Sequence, residues 1–397
     1  MTCVTIIGTG LLGSGIAEVM MRAGHQVVLH DFSVQTLTAA HNKINDIGRS
    51  IGVSVRAEPS MDAAVEAAEF VVEAVTENLA LKQSIFQRAG AVNRQAILMS
   101  NSSVLPIGEI ARRIDSPERA VGTHWWNPPQ LIPIVEVIRG PRTGEDVMNR
   151  TMEFHEALGK MPVRVDRDVP GFLGNRIQHA LWREALALVS AGECDAQSVD
   201  RIVGASLGKV FSTCGPWEQM ERIGWPQIAS ECAHTLPLIN SDPWPSRLLR
   251  DKVAQGQLGA KSGQGFLRWE PGEREQAAAR LSLHVTSRLQ MHANKTEEMQ
   301  LQSASLSNED AAIARRLQMA VWREAIALVA HKVCSSKDVD RVVLNTIGLR
   351  LAAMGPLENA DYVGLDLTLA IHEAVLPSLE ISNKVPALVQ SHGRLSE

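Results

Sequence analysis

"CVTIIGTGLLGSGIAEVMMRAGHQVVLHD", residues 3–31, decides the fold of this 397-residue chain. The β-branched opening, "CVTIIG", is continuously apolar, as a strand buried on both faces of a parallel sheet must be. "GTGLLG" then sets Gly8, Gly10 and Gly13 in a G-x-G-x-x-G spacing. "SGIAEVMMRAG" continues as a helix ending at Gly24, and "HQVVLHD" makes a second strand that closes on Asp31. In such a unit Gly8 permits the tight turn, Gly10 lets a pyrophosphate approach the backbone, and Gly13 allows close packing of helix on strand. The phosphates sit on the helix N-terminus, which opens with Leu11 and Leu12. Asp31 can accept bonds from the adenosine ribose hydroxyls and would repel a 2′-phosphate. The nearest basic residue after it is Lys43, so NAD is favoured over NADP.

The pattern continues as a doubly wound sheet. "FVVEAV" (70–75) and "AILMSNS" (96–102) read as further buried strands, with "LALKQSIFQRAG" as the helix between them. Open parallel sheets bind ligands beyond the carboxyl ends of their strands. "TENLALK" and "SNSSVLP" fall at such ends, which makes Glu77, Lys82, Asn101, Ser102 and Ser103 site candidates. The alternative for Asn101, Ser102 and Ser103 is a capping role on a helix starting near Pro106.

A second informative stretch is "VGTHWWNPPQLIPIVEV", residues 121–137. "AVGTHWW" is a strand that delivers His124, and Asn127-Pro128-Pro129 forces a turn because proline cannot continue a ladder. "IPIVEVI" then runs back, with Ile134, Glu136 and Ile138 on one face by strand alternation. A carboxylate on an apolar face costs several kcal/mol unless it is paired, and the imidazole of His124 is the available partner. A carboxylate bonded to one ring nitrogen fixes the tautomer, leaves the other nitrogen free to take a proton, and stabilises the imidazolium that results. Trp125 and Trp126 alternate faces, so one packs in the core and the other faces the cleft or simply packs.

Composition narrows the class. The net charge of −5 makes no electrostatic case for nucleic acid or an anionic membrane. The five cysteines (Cys3, Cys194, Cys214, Cys232 and Cys334) are scattered without a C-x-x-C pair, which reads as reduced thiols in a cytoplasmic protein with no metal site. The N-terminal apolar run has no basic start, its first positive residue being Arg22, and its glycines and Glu18 argue against a membrane span.

The second half is helical and internally repeated. "ALWREALALVSAGECDAQSVDRIVGASLGKVFSTCGPWEQMERIG" (180–224) aligns without gaps to "AVWREAIALVAHKVCSSKDVDRVVLNTIGLRLAAMGPLENADYVG" (320–364), every match lying 140 residues further on. Trp182, Arg183, Glu184, Cys194 and Asp200 meet Trp322, Arg323, Glu324, Cys334 and Asp340. Gly208, Gly215, Pro216 and Glu218 meet Gly348, Gly355, Pro356 and Glu358. A fixed spacing of this kind marks a duplicated helical module. Where chemistry would show, the copies differ: Asn175 corresponds to Arg315, Pro170 and Gly171 to Asp310 and Ala311, and nothing in the second copy matches "AKSGQGF".

Together, "GTGLLGSGIA", "VVEAVTENLALK", "SNSSVLPI", "HWWNPPQLIPIVEVI", "VPGFLGNRI" and "GAKSGQGF" resemble the L-3-hydroxyacyl-CoA dehydrogenase superfamily, including its lambda-crystallin/gulonate and carnitine dehydrogenase branches, from residue 3 to about 268. The resemblance implies a Rossmann-type α/β domain (1–167), a helical substrate and dimerisation domain (168–270), a linker (271–310) and a degenerate second helical copy (311–397). It implies that His124 is the general base and Glu136 its orienting acid, that Ser103 and Asn175 bond the substrate oxygen, and that Glu77, Lys82, Asn127 and Lys261 lie along the nicotinamide side of NAD. "GPLENADYVGLD" in the second copy is closer to the family pattern than "GPWEQMERIGWP" in the first. Relatives dimerise through one helical module, so residues 311–397 are expected to stand in for the partner as an intramolecular pseudo-dimer, with a larger homo-oligomer through the shared "WREA" segments as the alternative. The expected reaction is the NAD-dependent, reversible oxidation of an L-3-hydroxyacyl thioester of coenzyme A to the 3-keto product. The segment after Asp31 carries only Lys43, Arg49 and Arg56 where relatives have a lysine-rich arm, which keeps a free 3-hydroxy acid in view. The crystallin relatives keep a non-catalytic dinucleotide-binding role in view as well.

Overall fold

In the computed structural model, which describes residues 2–49, 52–205, 220, 224–279, 307–346 and 356–384, the opening apolar run forms β1 (Cys3–Ile7) near the middle of an eight-stranded sheet. The spatial order is β3 (Arg56–Ala57), β2 (Gln26–His30), β1, β4 (Phe70–Glu73), β5 (Ile97–Ser100), β6 (Ala120–Trp125), β7 (Ile134–Ile138) and β8 (Met161–Val165). Pairing is parallel from β3 to β6, antiparallel between β6 and β7, and parallel again between β7 and β8. The chain order reverses between β1 and β4, and this switch point is where open sheets of this kind hold ligands.

The connections follow the sequence pattern. Helices α1 (Leu11–Arg22), α2 (Val34–Arg49), α3 (Met61–Val65), α4 (Leu79–Val92), α5 (Ile107–Ile110) and α6 (Glu145–Ala157) join the strands. Gly24, at φ 83, takes the left-handed conformation that ends α1 and returns its N–H to the Met21 carbonyl. Strand alternation sends Trp125, Val135 and Val137 into one core cluster with Val4, Ile6, Met20, Val72, Met99 and Phe154. Each such side chain contributes about 1.5–3 kcal/mol when withdrawn from water. Both β4 and β5 stop short of the spans expected from hydropathy, and at the end of β4 the Glu73 carboxylate turns back to accept the Val75 N–H at 2.8 Å. The edge strands β3 and β8 carry too little alternation to be seen in sequence. Among the described residues, no helix is long and apolar enough to cross a membrane.

The chain divides into two compact units, Met1–Phe172 and Leu173–Glu397. In the second unit lie α7 (Gly174–Ser190), α8 (Ala196–Ala205), α9 (Trp225–Thr235), α10 (Arg247–Ala254), α11 (Asn308–Ala330), α12 (Ser336–Asn345), α13 (Pro356–Val363) and α14 (Leu365–Val375). Cys214 and the repeat positions Gly208, Gly215, Pro216, Glu218, Gly348 and Gly355 lie outside the described residues, as does most of the expected linker.

The duplicated helices α7 and α11 are joined by reciprocal contacts. Arg176 Nε donates to Glu324 Oε1 and Arg316 Nε to Glu184 Oε1, each at 2.7 Å. Glu324 Oε2 accepts the Asn240 N–H, and Glu184 Oε2 accepts the Glu380 N–H, again at 2.7 Å. Arg183 donates to the Asn240 carbonyl and Arg323 to the Glu380 carbonyl. Each member of one set is the 140-residue image of a member of the other, the relation an isologous interface imposes. One asymmetry is that Arg183 also donates to Ser241, where the second copy has Ile381.

Glu324 is 0% exposed, so Glu324→Ala strands a buried guanidinium and an unpaired backbone N–H. It is expected to cost about 3–5 kcal/mol in urea unfolding. Glu193→Ala, which cuts only the outer pair of Arg316, is expected to cost less than about 1 kcal/mol.

Candidate active site

The glycine turn is built as its spacing demands. Gly8 adopts φ 93, and a Cβ there would lie 2.8 Å from the Ala74 backbone. A Cβ on Gly13 would lie 1.9 Å from the Gly8 carbonyl oxygen, so only glycine lets α1 start this close to β1. Gly10 is different: a Cβ there would meet nothing within 4 Å. Its backbone therefore borders open space at the start of α1, with no side-chain cap on the first-turn N–H groups. That is the cradle a pyrophosphate requires. Leu11 is 75% exposed beside it, whereas Leu12 packs against the core cluster. Asp31 is tied to the same turn, its Oδ2 accepting the Thr9 N–H at 2.8 Å and its Oδ1 the Ser33 N–H at 2.9 Å. Oδ2 also accepts the Thr9 hydroxyl at 3.1 Å, so the lone pair left for a ribose hydroxyl is on Oδ1. The residues present fit NAD.

Glu77 and Lys82 belong to a buried network whose centre the sequence did not reveal. Glu73, at the end of β4, is wholly buried and accepts from Lys82 Nζ at 2.7 Å and from Ser100 Oγ at 2.7 Å. Lys82 Nζ also faces Glu77 Oε2 at 3.3 Å. Glu77 Oε1 in turn gathers the Ser102 hydroxyl and the N–H groups of Ser103, Val104 and Leu105. Burial pushes the Glu77 carboxyl up, but Lys82, Ser102 and the Val104 and Leu105 N–H groups together hold it below the usual carboxylate range. The network fixes the loop that presents Ser103.

Asn101, Ser102 and Ser103 do not cap the helix that follows, which corrects that alternative. The N–H groups of Ile107 and Gly108 donate instead to the Asp168 carboxylate, at 2.9 and 2.7 Å. Asn101 Oδ1 accepts the Trp125 N–H, pinning the end of β5 to the end of β6.

His124 and Glu136 are direct cross-strand partners in the antiparallel β6–β7 pair. His124 Nδ1 lies 2.6 Å from Glu136 Oε2, and the carboxylate is 0% exposed. An ionised carboxylate only accepts, so Nδ1 carries the proton and Nε2 presents its lone pair. Trp126 Nε1 donates to the same Oε2 at 3.2 Å. Of the two tryptophans, Trp125 is the core residue and Trp126 the half-buried one beside the imidazole, its ring centroid 5.2 Å away. Phe172, at φ 49 in the left-handed region, sets its ring 5.8 Å from that of His124. The turn after β6 leaves Asn127 exposed. Lys160, donating to the Pro129 and Ile132 carbonyls, and Gln130, donating to Glu18 of α1, anchor this turn.

Two sequence candidates lie in the second unit. Asn175 sits buried in the first turn of α7, and Lys261, in the loop after α10, donates to Asp366 Oδ2 at 2.6 Å. The first unit thus assembles Gly8, Gly10, Gly13, Asp31, Glu77, Lys82, Ser103, Asn127, His124 and Glu136 along the carboxyl ends of β1, β2, β4, β5 and β6.

Known proteins resemble both parts of the chain. The family model described as "3-hydroxyacyl-CoA dehydrogenase, NAD binding domain" matches residues 3–169. The one described as "3-hydroxyacyl-CoA dehydrogenase, C-terminal domain" matches twice, at 171–269 and 313–392. The chain is similar to human mitochondrial hydroxyacyl-coenzyme A dehydrogenase, with 32% identity over 289 residues covering 67% of this chain and 91% of the relative. It is 31% identical over 280 residues to the 5-formyl-3-hydroxy-2-methylpyridine 4-carboxylate 5-dehydrogenase of Mesorhizobium japonicum, covering 68% and 91%. A crystal structure of 3-hydroxybutyryl-CoA dehydrogenase from Escherichia coli K12 superposes with a TM-score of 0.70 at 22% identity, covering 99% of this chain and 98% of the other, a likeness of fold.

The glycine turn yields a paired test. Gly13→Ala is expected to lower stability by about 1–3 kcal/mol or more through overpacking. Gly10→Ala should leave the thermal midpoint unchanged while weakening NAD binding, measured by calorimetry, by roughly tenfold or more.

Proposed function

The chain belongs to the 3-hydroxyacyl-CoA dehydrogenase family, and we propose that its His124–Glu136 pair drives the NAD-dependent, reversible oxidation of an L-3-hydroxyacyl-CoA to the 3-ketoacyl-CoA. The observation that carries this reading is the 2.6 Å contact between Nδ1 and a fully buried carboxylate, which leaves Nε2 as the proton acceptor. NAD held on the glycine turn would supply the acceptor for the hydride of the substrate carbon. His124 Nε2 takes the hydroxyl proton, and Glu136 stabilises the imidazolium as it forms. Trp126, sharing Oε2, holds the carboxylate in place for that role. Ser103, positioned through Glu77, and Asn175 bond the substrate oxygen. Gly8, Gly10, Gly13, Leu11, Leu12 and Asp31 hold the adenosine and pyrophosphate, while Glu77, Asn127 and Lys261 serve the nicotinamide side and Lys82, wholly buried, acts on it only through Glu77.

A free hydroxy acid is the second reading. The Mesorhizobium relative is named for a pyridine carboxylate, and few cations follow Asp31 in this chain. The helical copies act as an intramolecular pseudo-dimer, a reading supported by the reciprocal Arg176–Glu324 and Arg316–Glu184 pairs. A cytoplasmic location is supported by the free thiols Cys3, Cys194, Cys232 and Cys334 among the described residues.

NADH formation with a panel of 3-hydroxyacyl-CoA thioesters and the matching free acids tests the assignment. Turnover of thioesters alone is expected; turnover of acids alone selects the second reading, and turnover of neither contradicts both. His124→Ala is expected to lower kcat by roughly 10²- to 10⁴-fold with NAD affinity nearly intact. Unchanged turnover would refute the assigned base.

A further inference from the structure

The loop that carries Lys261 belongs to the first helical copy, yet its seat is made by the second. Asp361, in α13, is 0% exposed. Its Oδ1 accepts the Phe266 N–H at 2.7 Å, and its Oδ2 accepts the Leu267 N–H at 2.6 Å and Trp269 Nε1 at 3.0 Å. Its backbone carbonyl accepts the Ala260 N–H at 3.0 Å. Two glycines of "GAKSGQGF" are fitted to the same residue: a Cβ on Gly259 would lie 2.2 Å from the Asp361 carbonyl oxygen, and one on Gly265 would lie 2.1 Å from its Oδ1. Five residues on, Asp366 opens α14 and takes the Lys261 ammonium. The 140-residue images of these acids in the first copy are Glu221 and Pro226. The first copy thus has a longer carboxylate arm at one position and a side chain with no acceptor at the other.

We propose that Asp361 and Asp366 are positioning residues for Lys261, so that the second copy supplies the support of a site element carried by the first. The duplicated module is then composite: "GAKSGQGF" survives in one copy, "DYVGLD" in the other, and the two meet. Residues 311–397 are therefore more than the packing remnant that the lack of counterparts to Asn175 and to "AKSGQGF" suggests. The effect on the cofactor rests on the reading of Lys261 as a contact on the nicotinamide side, whereas the seating of the loop does not.

The test uses the full chain carrying Asp361→Asn, Lys261→Ala, or both. Hydrogen exchange of the 258–268 backbone reports the seat, and KM for NAD against kcat reports the consequence. In Asp361→Asn the loop amides are expected to exchange at least tenfold faster. KM for NAD should rise about fivefold or more with kcat within twofold, since a fivefold loss is roughly 1 kcal/mol of binding. In the Lys261→Ala background the same change should add less than about twofold, because the acid acts through the lysine. Unchanged exchange overturns the proposal, and so does a KM effect that persists undiminished without Lys261. If Lys261→Ala alone leaves KM unchanged, the cofactor assignment of Lys261 has failed, and the exchange result alone decides the seat. Should Asp361→Asn not fold, Asp366→Asn, on a half-exposed pair, repeats the measurement with the same expected direction and the same contradicting outcome.

Discussion

A carboxylate with no exposed surface, bonded to the His124 imidazole and the Trp126 indole, organises the first unit. Glu136 sits in β7 among Val135, Val137 and Ile138, where an unpaired charge would cost several kcal/mol. It is tolerated because β7 runs antiparallel to β6, which sets it directly opposite His124. The antiparallel register follows from the short turn after Trp126, since a parallel neighbour would need a long crossover. The same turn places Trp126 where its indole N–H reaches the carboxylate. Strand direction, turn chemistry and the tautomer of one imidazole are thus linked.

A second buried carboxylate does comparable work at the end of β4. Glu73 gathers Lys82, Ser100 and the Val75 N–H, and Lys82 passes the connection to Glu77 and so to the Ser103 loop. Buried ion pairs of this kind add little net stability, because desolvation offsets most of the attraction. Their service is geometric: they fix the loops at the carboxyl ends of adjacent strands in one arrangement. The reciprocal arginine–glutamate pairs between α7 and α11 fix the register of the helical copies in the same way.

The parts of the site legible in sequence were those with a short-range signature. Glycines at fixed offsets demand a particular turn, and Gly8, Gly10 and Gly13 each meet the environment expected of them. Glu136 was legible because an acid inside an apolar strand needs a partner and strand alternation limits where that partner lies. Glu73 offers the same signal inside "FVVEAV", nine residues before Lys82, but the run also fits an uninterrupted strand, which hides it. Asp168 was invisible because it caps α5 from about sixty residues away in sequence, and no local pattern reports such a contact. Phe172 depends on a left-handed backbone that phenylalanine rarely adopts, so nothing in its residue type announces it. The departure of "GPWEQMERIGWP" from the family pattern was visible, but its counterpart, the docking of Asp361 on the Lys261 loop, required three-dimensional contacts to see.

The central claim concerns which ring nitrogen of His124 holds the proton. Nitrogen-15 spectra of the histidine side chains, assigned by loss of the His124 signal on substitution, decide it at a pH where the ring is neutral. A protonated Nδ1 with a bare Nε2, the pattern shifting when Glu136 is replaced by glutamine, is the result predicted by the 2.6 Å contact. A protonated Nε2, or a ring indifferent to the residue at 136, would contradict the account.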